Sequence, residues 1–319
     1  MVASMQFDKT SQVVSQLDGA DVVLVQCGRK ITSEELACIR DTVRLFPNLS
    51  RKELAHTVCE HLEWLTASGA HKVQACLKLL DKLEAAGQVQ LPPKRFKQRK
   101  SGAPTPPKRS TRTEPGPTIS GELATVQPVH LEVVTGREAT RLWNEYVDRY
   151  HGLGFKKPFG CTMRYFISSR RGRLGCLLMA GAAKSIGVRD RWIGWAEHQR
   201  LRNLPWVINN TRFLLFPWVR IQHLASHALG QLARRVRDDW DEHWGYRPVL
   251  METFVDPAHY QGVSYRAAGW TLLGQTTGEG LRRSGRQYST TPKRMFVRSL
   301  VKDFREQLCS DELTGKDPQ

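Results

Sequence analysis

Nowhere in the 319 residues does an apolar run reach the roughly 18 residues that a membrane-crossing helix needs. No transmembrane segment and no membrane partner are therefore expected. The amino terminus, MVASMQFDKTSQ, lacks the apolar core of a signal peptide, which points to the cytoplasm. No CxxC pair occurs, and the seven cysteines stand at 27, 38, 59, 76, 161, 176 and 309. An odd number so scattered argues against a disulfide framework or a zinc ribbon and predicts free thiols. Acid is scarce: 31 Asp and Glu stand against 48 Lys and Arg, for a formal charge of +17. Between Lys94 and Arg112 there are eight basic residues and no acidic one. Such an imbalance points to a polyanionic partner, DNA first.

What is present suffices for two domains. Apolar residues make up 40% of the chain, with nine tryptophans. Residues 1–30 read as a tail in which Val22 to Val25 suits a short strand. Helical periodicity begins at Ile31. Thr32 with Glu35, and Ser50 with Glu53, form capping boxes that start two helices. A third helix runs from about Ala70 to Ala86, and Gln88 to Leu91 reads as a strand. Three helices and a strand over 31–92 predict a winged helix-turn-helix, with a three-helix protein-docking module as the alternative. Its third helix would read DNA through His71, Lys72, Gln74 and Lys78, with Arg51 and Lys52 on the helix before it. Residues 93–125 are rich in Pro, Gly, Ser, Thr and base, and read as a flexible linker. Lys94, Arg95, Lys97, Arg99 and Lys100 would track phosphates there.

The second domain spans 126–308, followed by a polar tail, 309–319. Glu138 to Tyr150 has amphipathic helical spacing, and Leu174 to Ala183 suits a central strand. Arg212 to Val219 reads as another strand, and Leu224 to Trp244 as a long helix. Then comes PVLMETFVDPAHYQGVSYRAAGWTLLG, Pro248 to Gly274: strand, short helix ending at Gly269, and strand. A basic loop carrying Arg282, Arg283, Arg286, Lys293 and Arg294 leads into a last strand near Met295. These basic residues are further candidates for DNA contact.

The order of elements from Arg212 onward resembles the second half of the acetyltransferase (GNAT) fold, in which a short helix ends in Tyr-x-x-x-Gly-Phe; here the residues are Tyr265, Gly269 and Trp270. The fold class implied is α+β, an N-terminal winged helix-turn-helix and a C-terminal GNAT-like mixed α/β domain. That family binds coenzyme A pyrophosphate on a Gly-rich loop at a helix N-terminus. The chain has HLASHALG there, with no glycine before Gly230, so no coenzyme A is expected. The stretches GCLLMAGAAKSIGVRDRWIGW, LPWVINNTRFLLFPWV and METFVDPAHYQGVSYRAAGWTLLGQTTG are together similar to the Druantia anti-phage system protein DruA family. SRKELAHTVCEHLEW and LLDKLEAAGQVQLPP resemble the segment preceding that domain, so the resemblance runs from about residue 28 to 308. It implies a bacterial protein of phage defence or mobile DNA, some relatives being labelled transposases, with defence-system subunits or further copies of itself as partners.

The chemistry that suits such a protein is metal-dependent cleavage or transfer of DNA, which needs carboxylates to hold Mg²⁺ or Mn²⁺ against a phosphate. Asp190, Glu252 and Asp256 are the candidates, and Asp190 with Glu252 is the pair assigned to the metal. Glu252 interrupts an apolar strand, where an acid needs a partner; a salt bridge to an arginine explains it equally well. Tyr265 is a candidate nucleophile or acid, or else a ring packed on Trp270. Ser226, between His223 and His227, reads as a helix cap rather than a nucleophile. The function expected is a metal-dependent transposase or nuclease. The alternatives are a non-catalytic DNA-binding subunit of an anti-phage complex and an acyl-CoA-dependent acyltransferase.

Overall fold

Residues 21–93, 109–156, 158, 160–278 and 291–311 are described by the structure, a computed structural model. Two units divide the chain, residues 1–101 and 102–319.

The first unit opens with a hairpin, β1 (Val22–Gln26) and β2 (Arg29–Thr32), paired antiparallel. Three helices follow: α1 (Ser33–Leu45), α2 (Arg51–His61) and α3 (Val73–Ala85). Both capping boxes form, Thr32 with Glu35 and Ser50 with Glu53, so each helix begins where the sequence places its start. Ile31, Ile39, Leu54, Val58, Leu79 and Leu80 close one core. The wing is not confirmed: among the described residues of this unit no strand follows α3, and Gln88 to Leu91 is irregular. Gly87, at φ +69°, turns the chain back, and the Gln88 N–H bonds the Leu83 carbonyl at 2.8 Å. The Arg51 guanidinium then holds the Pro92 carbonyl at 2.7 Å. The strand hairpin of this unit precedes its helices instead.

The second unit begins earlier than expected. Residues 109–125, assigned above to the flexible linker, are folded. Ser110 and Thr113 both hydrogen-bond the buried Glu145 carboxylate, and the Tyr146 and Tyr150 hydroxyls bond the Arg112 and Thr113 carbonyls. The segment includes β3 (Ile119–Gly121). Then come β4 (His130–Val133), α4 (Arg137–Tyr150), β5 (Thr162–Ser169), β6 (Gly172–Gly181), α5 (Gly187–Ile193) and α6 (Glu197–Asn203). After them run β7 (Val207–Leu215), β8 (Val219–Ile221), α7 (Leu224–Trp244), β9 (Leu250–Val255) and α8 (Val263–Ala267). The described chain ends with β10 (Thr271–Gln275), β11 (Arg294–Ser299) and α9 (Phe304–Leu308).

Seven strands make one sheet in the order β10-β11-β9-β7-β6-β5-β4, while β3 pairs parallel with β8. In β6, Leu174 to Ala180 are buried without alternation, so both faces of the sheet are covered there. Leu142, Trp143, Tyr146 and Val147 are the buried face of α4, and the Trp143 indole N–H bonds the Tyr165 carbonyl at 2.9 Å. Leu224, Ala228, Leu232, Val236 and Trp240, at spacings of four, are buried along α7. Gly245, at φ +72°, ends that helix in the left-handed conformation that glycine tolerates best.

Candidate functional site

The sheet has one parallel pair in its middle, β7 with β9, and the pairing is short. Val207, Ile208 and Asn209 face Leu250, Met251 and Glu252, and there the ladder ends. The β6–β7 register shifts between Leu178 and Met179, across from Asn210 and Arg212, so β7 departs from regular pairing at the same level. Side chains take up the bonds that the ladder gives up. The Thr253 hydroxyl donates to the Asn210 carbonyl at 3.0 Å, and the Asn210 amide donates to the carbonyls of Leu178 and Arg212. The Tyr265 hydroxyl, from α8, donates to Asn210 Oδ1 at 2.7 Å. Its ring meets Trp270 edge-on at 5.1 Å and stacks on Phe296 at 5.8 Å. Burial pushes the phenol up to about 12, so it keeps its proton at neutral pH. Asn209 Oδ1 is buried beside this point with no donor among the described residues.

Asp190 and Glu252 do come together, and Arg189 is what joins them. Its Nη1 donates to Glu252 Oε2 at 2.8 Å and its Nε to Asp190 Oδ1 at 2.9 Å. Glu252 Oε1 accepts the Ala183 N–H, and Asp190 Oδ2 the Ile186 N–H. Arg189 and Glu252 are both fully buried. Burial raises the Glu252 carboxyl above the usual range, with the guanidinium opposing that rise. The cation between the two acids is thus a guanidinium, and all four carboxylate oxygens have donors. Among the described residues no three His, Cys, Asp or Glu stand together as a metal would require. Asp256 is at the far end of β9, its carboxylate accepting the Ala258 N–H at 3.0 Å.

Beyond β7 the chain enters α7 through His223, which holds the left-handed φ of +61° that favours glycine. Ser226 is not the N-cap; it stands inside the first turn, its hydroxyl donating to the His223 carbonyl at 3.0 Å. A cavity of about 490 Å³ opens here, lined by His223, Ser226, His227, Arg234, Gly269 and Arg298 among others. Burial holds His227 below the ordinary imidazole value, with Arg234 adding to the effect. The free N–H groups of the α7 N-terminus and two guanidiniums make this wall of the molecule suited to phosphate. Asn210, Arg189 and Arg234 were not foreseen. Arg189 had a signal, standing beside Asp190 in the sequence.

The proposed DNA contacts fare unevenly. Arg51 is engaged by Glu84 at 2.7 Å and Asp81 at 3.0 Å. Lys72 is the residue before α3, and its amine is half-buried, which lowers its pKa. His71 pairs its ring with His56 at 5.7 Å. Lys52, Gln74 and Lys78 are exposed. Lys293 donates its backbone N–H to Thr276, and Arg294 bonds Gln261. Lys94, Arg95, Lys97, Arg99, Lys100, Arg282, Arg283 and Arg286 lie outside the described residues. No described helix is long and apolar enough to cross a membrane.

The sheet order, the parted parallel pair and the Tyr265 helix beside it define a GNAT acetyltransferase-like domain. The chain belongs to the Druantia protein DruA family, matching it over residues 82–290. No curated protein matches the chain. Among solved structures it is similar to a Bacillus subtilis acetyltransferase in complex with CoA, at 9% identity and a TM-score of 0.30, covering 54% of this chain and 99% of that one. The aminoglycoside acetyltransferase AAC(6')-Ib, in complex with coenzyme A and kanamycin, is 15% identical at a TM-score of 0.34, covering 57% and 99%. An N-acetyltransferase from Staphylococcus aureus Mu50 is 8% identical at 0.33, covering 54% and 97%. The first two of these neighbours are themselves complexes with coenzyme A, a finding that runs against the expectation of no coenzyme A.

Proposed function

We propose that the chain is a subunit of an anti-phage defence system whose C-terminal domain binds an acyl-CoA and transfers the acyl group. Family membership supports the defence setting. The observation that carries the chemistry is the parted β7–β9 pair with Tyr265 at its apex and the basic cavity on α7 beside it. A coenzyme A thioester bound there would supply the activated acyl group. His223, Ser226 and the α7 N-terminus would meet its phosphates, and Arg234 and Arg298 would offset their charge. Asn209 Oδ1 offers an acceptor to an amide N–H. Tyr265 holds its proton at neutral pH beside the cleft, which suits a general acid and not a phenolate nucleophile. Calorimetry of the full chain with acetyl-CoA tests this reading: micromolar binding is expected, weakened about tenfold or more by Arg234→Glu, as removal of one charge-assisted hydrogen bond demands. No heat at millimolar acetyl-CoA would remove the acyltransferase reading.

The formal charge of +17 favours a second reading beside the first, in which the N-terminal unit contacts nucleic acid. Gln74 and Lys78 are both exposed and one helical turn apart on α3, so one strand can meet both. Retarded migration of duplex DNA, abolished by Lys52→Glu with Lys78→Glu, is the corresponding check.

A further inference from the structure

Three strands away from the parted pair, the open end of the sheet holds a second cavity of about 690 Å³, between the end of β4, the start of α4, the start of β5 and the last turn of α7. Its lining includes Arg137, Arg141, Arg164, Asn144, His243 and Trp244, and no acidic residue. Neighbouring carboxylates make their hydrogen bonds elsewhere, Glu138 with Arg112, Glu145 with Ser110 and Thr113, Asp239 with Arg235 and Tyr165, although the Arg141 charge also acts on Glu145. Among the described residues none of the three lining arginines has an acidic partner within ion-pair distance. Arg164 is nevertheless fixed in place, its Nε donating to Asn144 Oδ1 at 3.2 Å and its guanidinium lying over the Trp143 ring at 5.4 Å. That leaves its two amino groups for a ligand. Gly136 starts the 14-residue α4 without a side-chain cap, so the first N–H groups of that helix lack one as well.

We propose that this cavity binds the phosphate monoester of a nucleotide, either free or at the 5′ end of a nucleic acid strand. Three guanidiniums and an uncapped helix are all donors, and a phosphate monoester offers three acceptor oxygens with up to two negative charges. The volume exceeds what a bare anion needs and falls within the range of small-molecule sites, with Trp244 as a flat apolar wall. The site shares no lining residue with the cavity on α7 and does not rest on acyl transfer.

The test is calorimetry of the full chain with AMP, with a 5′-phosphorylated oligonucleotide and with the same oligonucleotide carrying a 5′-hydroxyl. AMP binding without a preference between the two strands assigns the site to a free nucleotide. A strand preference for the 5′-phosphate of about tenfold or more assigns it to strand ends. In either case Arg137→Glu with Arg141→Glu should remove the effect, while Arg170→Glu with Arg171→Glu, the same charge change at the exposed β5–β6 turn, should leave it. Arg234→Glu should leave it intact, which separates the site from the acyl-CoA cleft. Neither AMP binding nor a 5′-phosphate preference, or equal losses in both double variants, would overturn the proposal.

Discussion

Arg189 is the residue through which the interior of the second unit is wired. A guanidinium with no exposure is tolerable only where its charge and its donors are answered; Glu252, Asp190 and the Ala183 carbonyl take up Nη1 and Nε, and Nη2 has an ion-pair contact to Asp190 Oδ1 at 2.9 Å but no hydrogen bond among the described residues. Glu252→Gln leaves a buried cation short of one counter-charge and should cost about 3–5 kcal/mol of stability. The double change Arg189→Met with Glu252→Leu removes both charges together and should recover most of that deficit, since replacing a buried pair with apolar groups is often neutral. Urea unfolding of the three proteins measures it; a Glu252→Gln protein as stable as the parent would show that the pair is not what holds α5 to β9. The sequence carried half of this. An acid inside an apolar strand demands a partner, and an arginine is one that suits it, but which of 48 basic residues supplies the charge is set by how α5 meets the sheet 63 positions away. Asn210 was illegible for a related reason: a buried asparagine in a strand has no signature until the neighbouring ladder is known to stop.

At the scale of elements, α8 is only five residues long and is held by its surroundings more than by its own hydrogen bonds. Gly262, its N-cap at φ +74°, is the hinge of that arrangement: a Cβ there would come within 2.4 Å of the buried Phe296 ring. Gly262→Ala therefore meets both a disfavoured backbone and a steric clash, and should cost about 2 kcal/mol or more. Because Tyr265 lies one turn on, the variant should also disturb the Tyr265–Asn210 bond and lower acetyl-CoA binding, while Gly152→Ala, in a turn after α4 where a Cβ meets nothing within 4 Å, should spare both. Melting curves paired with calorimetry separate the two. Long elements with their own punctuation were readable from sequence: α7 has the bounds its apolar spacing and Gly245 imply, and the two capping boxes fix α1 and α2. Short elements defined by what they pair with were not, as with β4, or β3 against β8.

For the whole molecule, the question is where the charge acts. The stretch from Lys94 to Arg112 reads in sequence as one basic linker, yet Arg112 and its neighbours belong to the second unit: Ser110 and Thr113 supply the donors that keep the buried Glu145 carboxylate satisfied, bonds made across more than thirty residues. Composition describes a segment's own solubility and cannot report a partner so distant. The consequence is practical. Removing residues 1–117 would strip those donors and destabilise the second unit, so a fall in DNA binding after that cut would say nothing about the first. Removal of 1–101 respects the division between the units and takes away the three helices together with Lys94, Arg95, Lys97, Arg99 and Lys100. If the first unit and these residues bind the nucleic acid, affinity for duplex DNA should drop and its logarithmic dependence on salt should flatten by about 0.9 for every phosphate that the shortened chain no longer neutralises. Acetyl-CoA binding and the unfolding of the second unit should stay as they were. A salt slope unchanged by the deletion would place the DNA-binding surface among the basic residues of the second unit, and equal affinity at every salt concentration would end the DNA reading of α3.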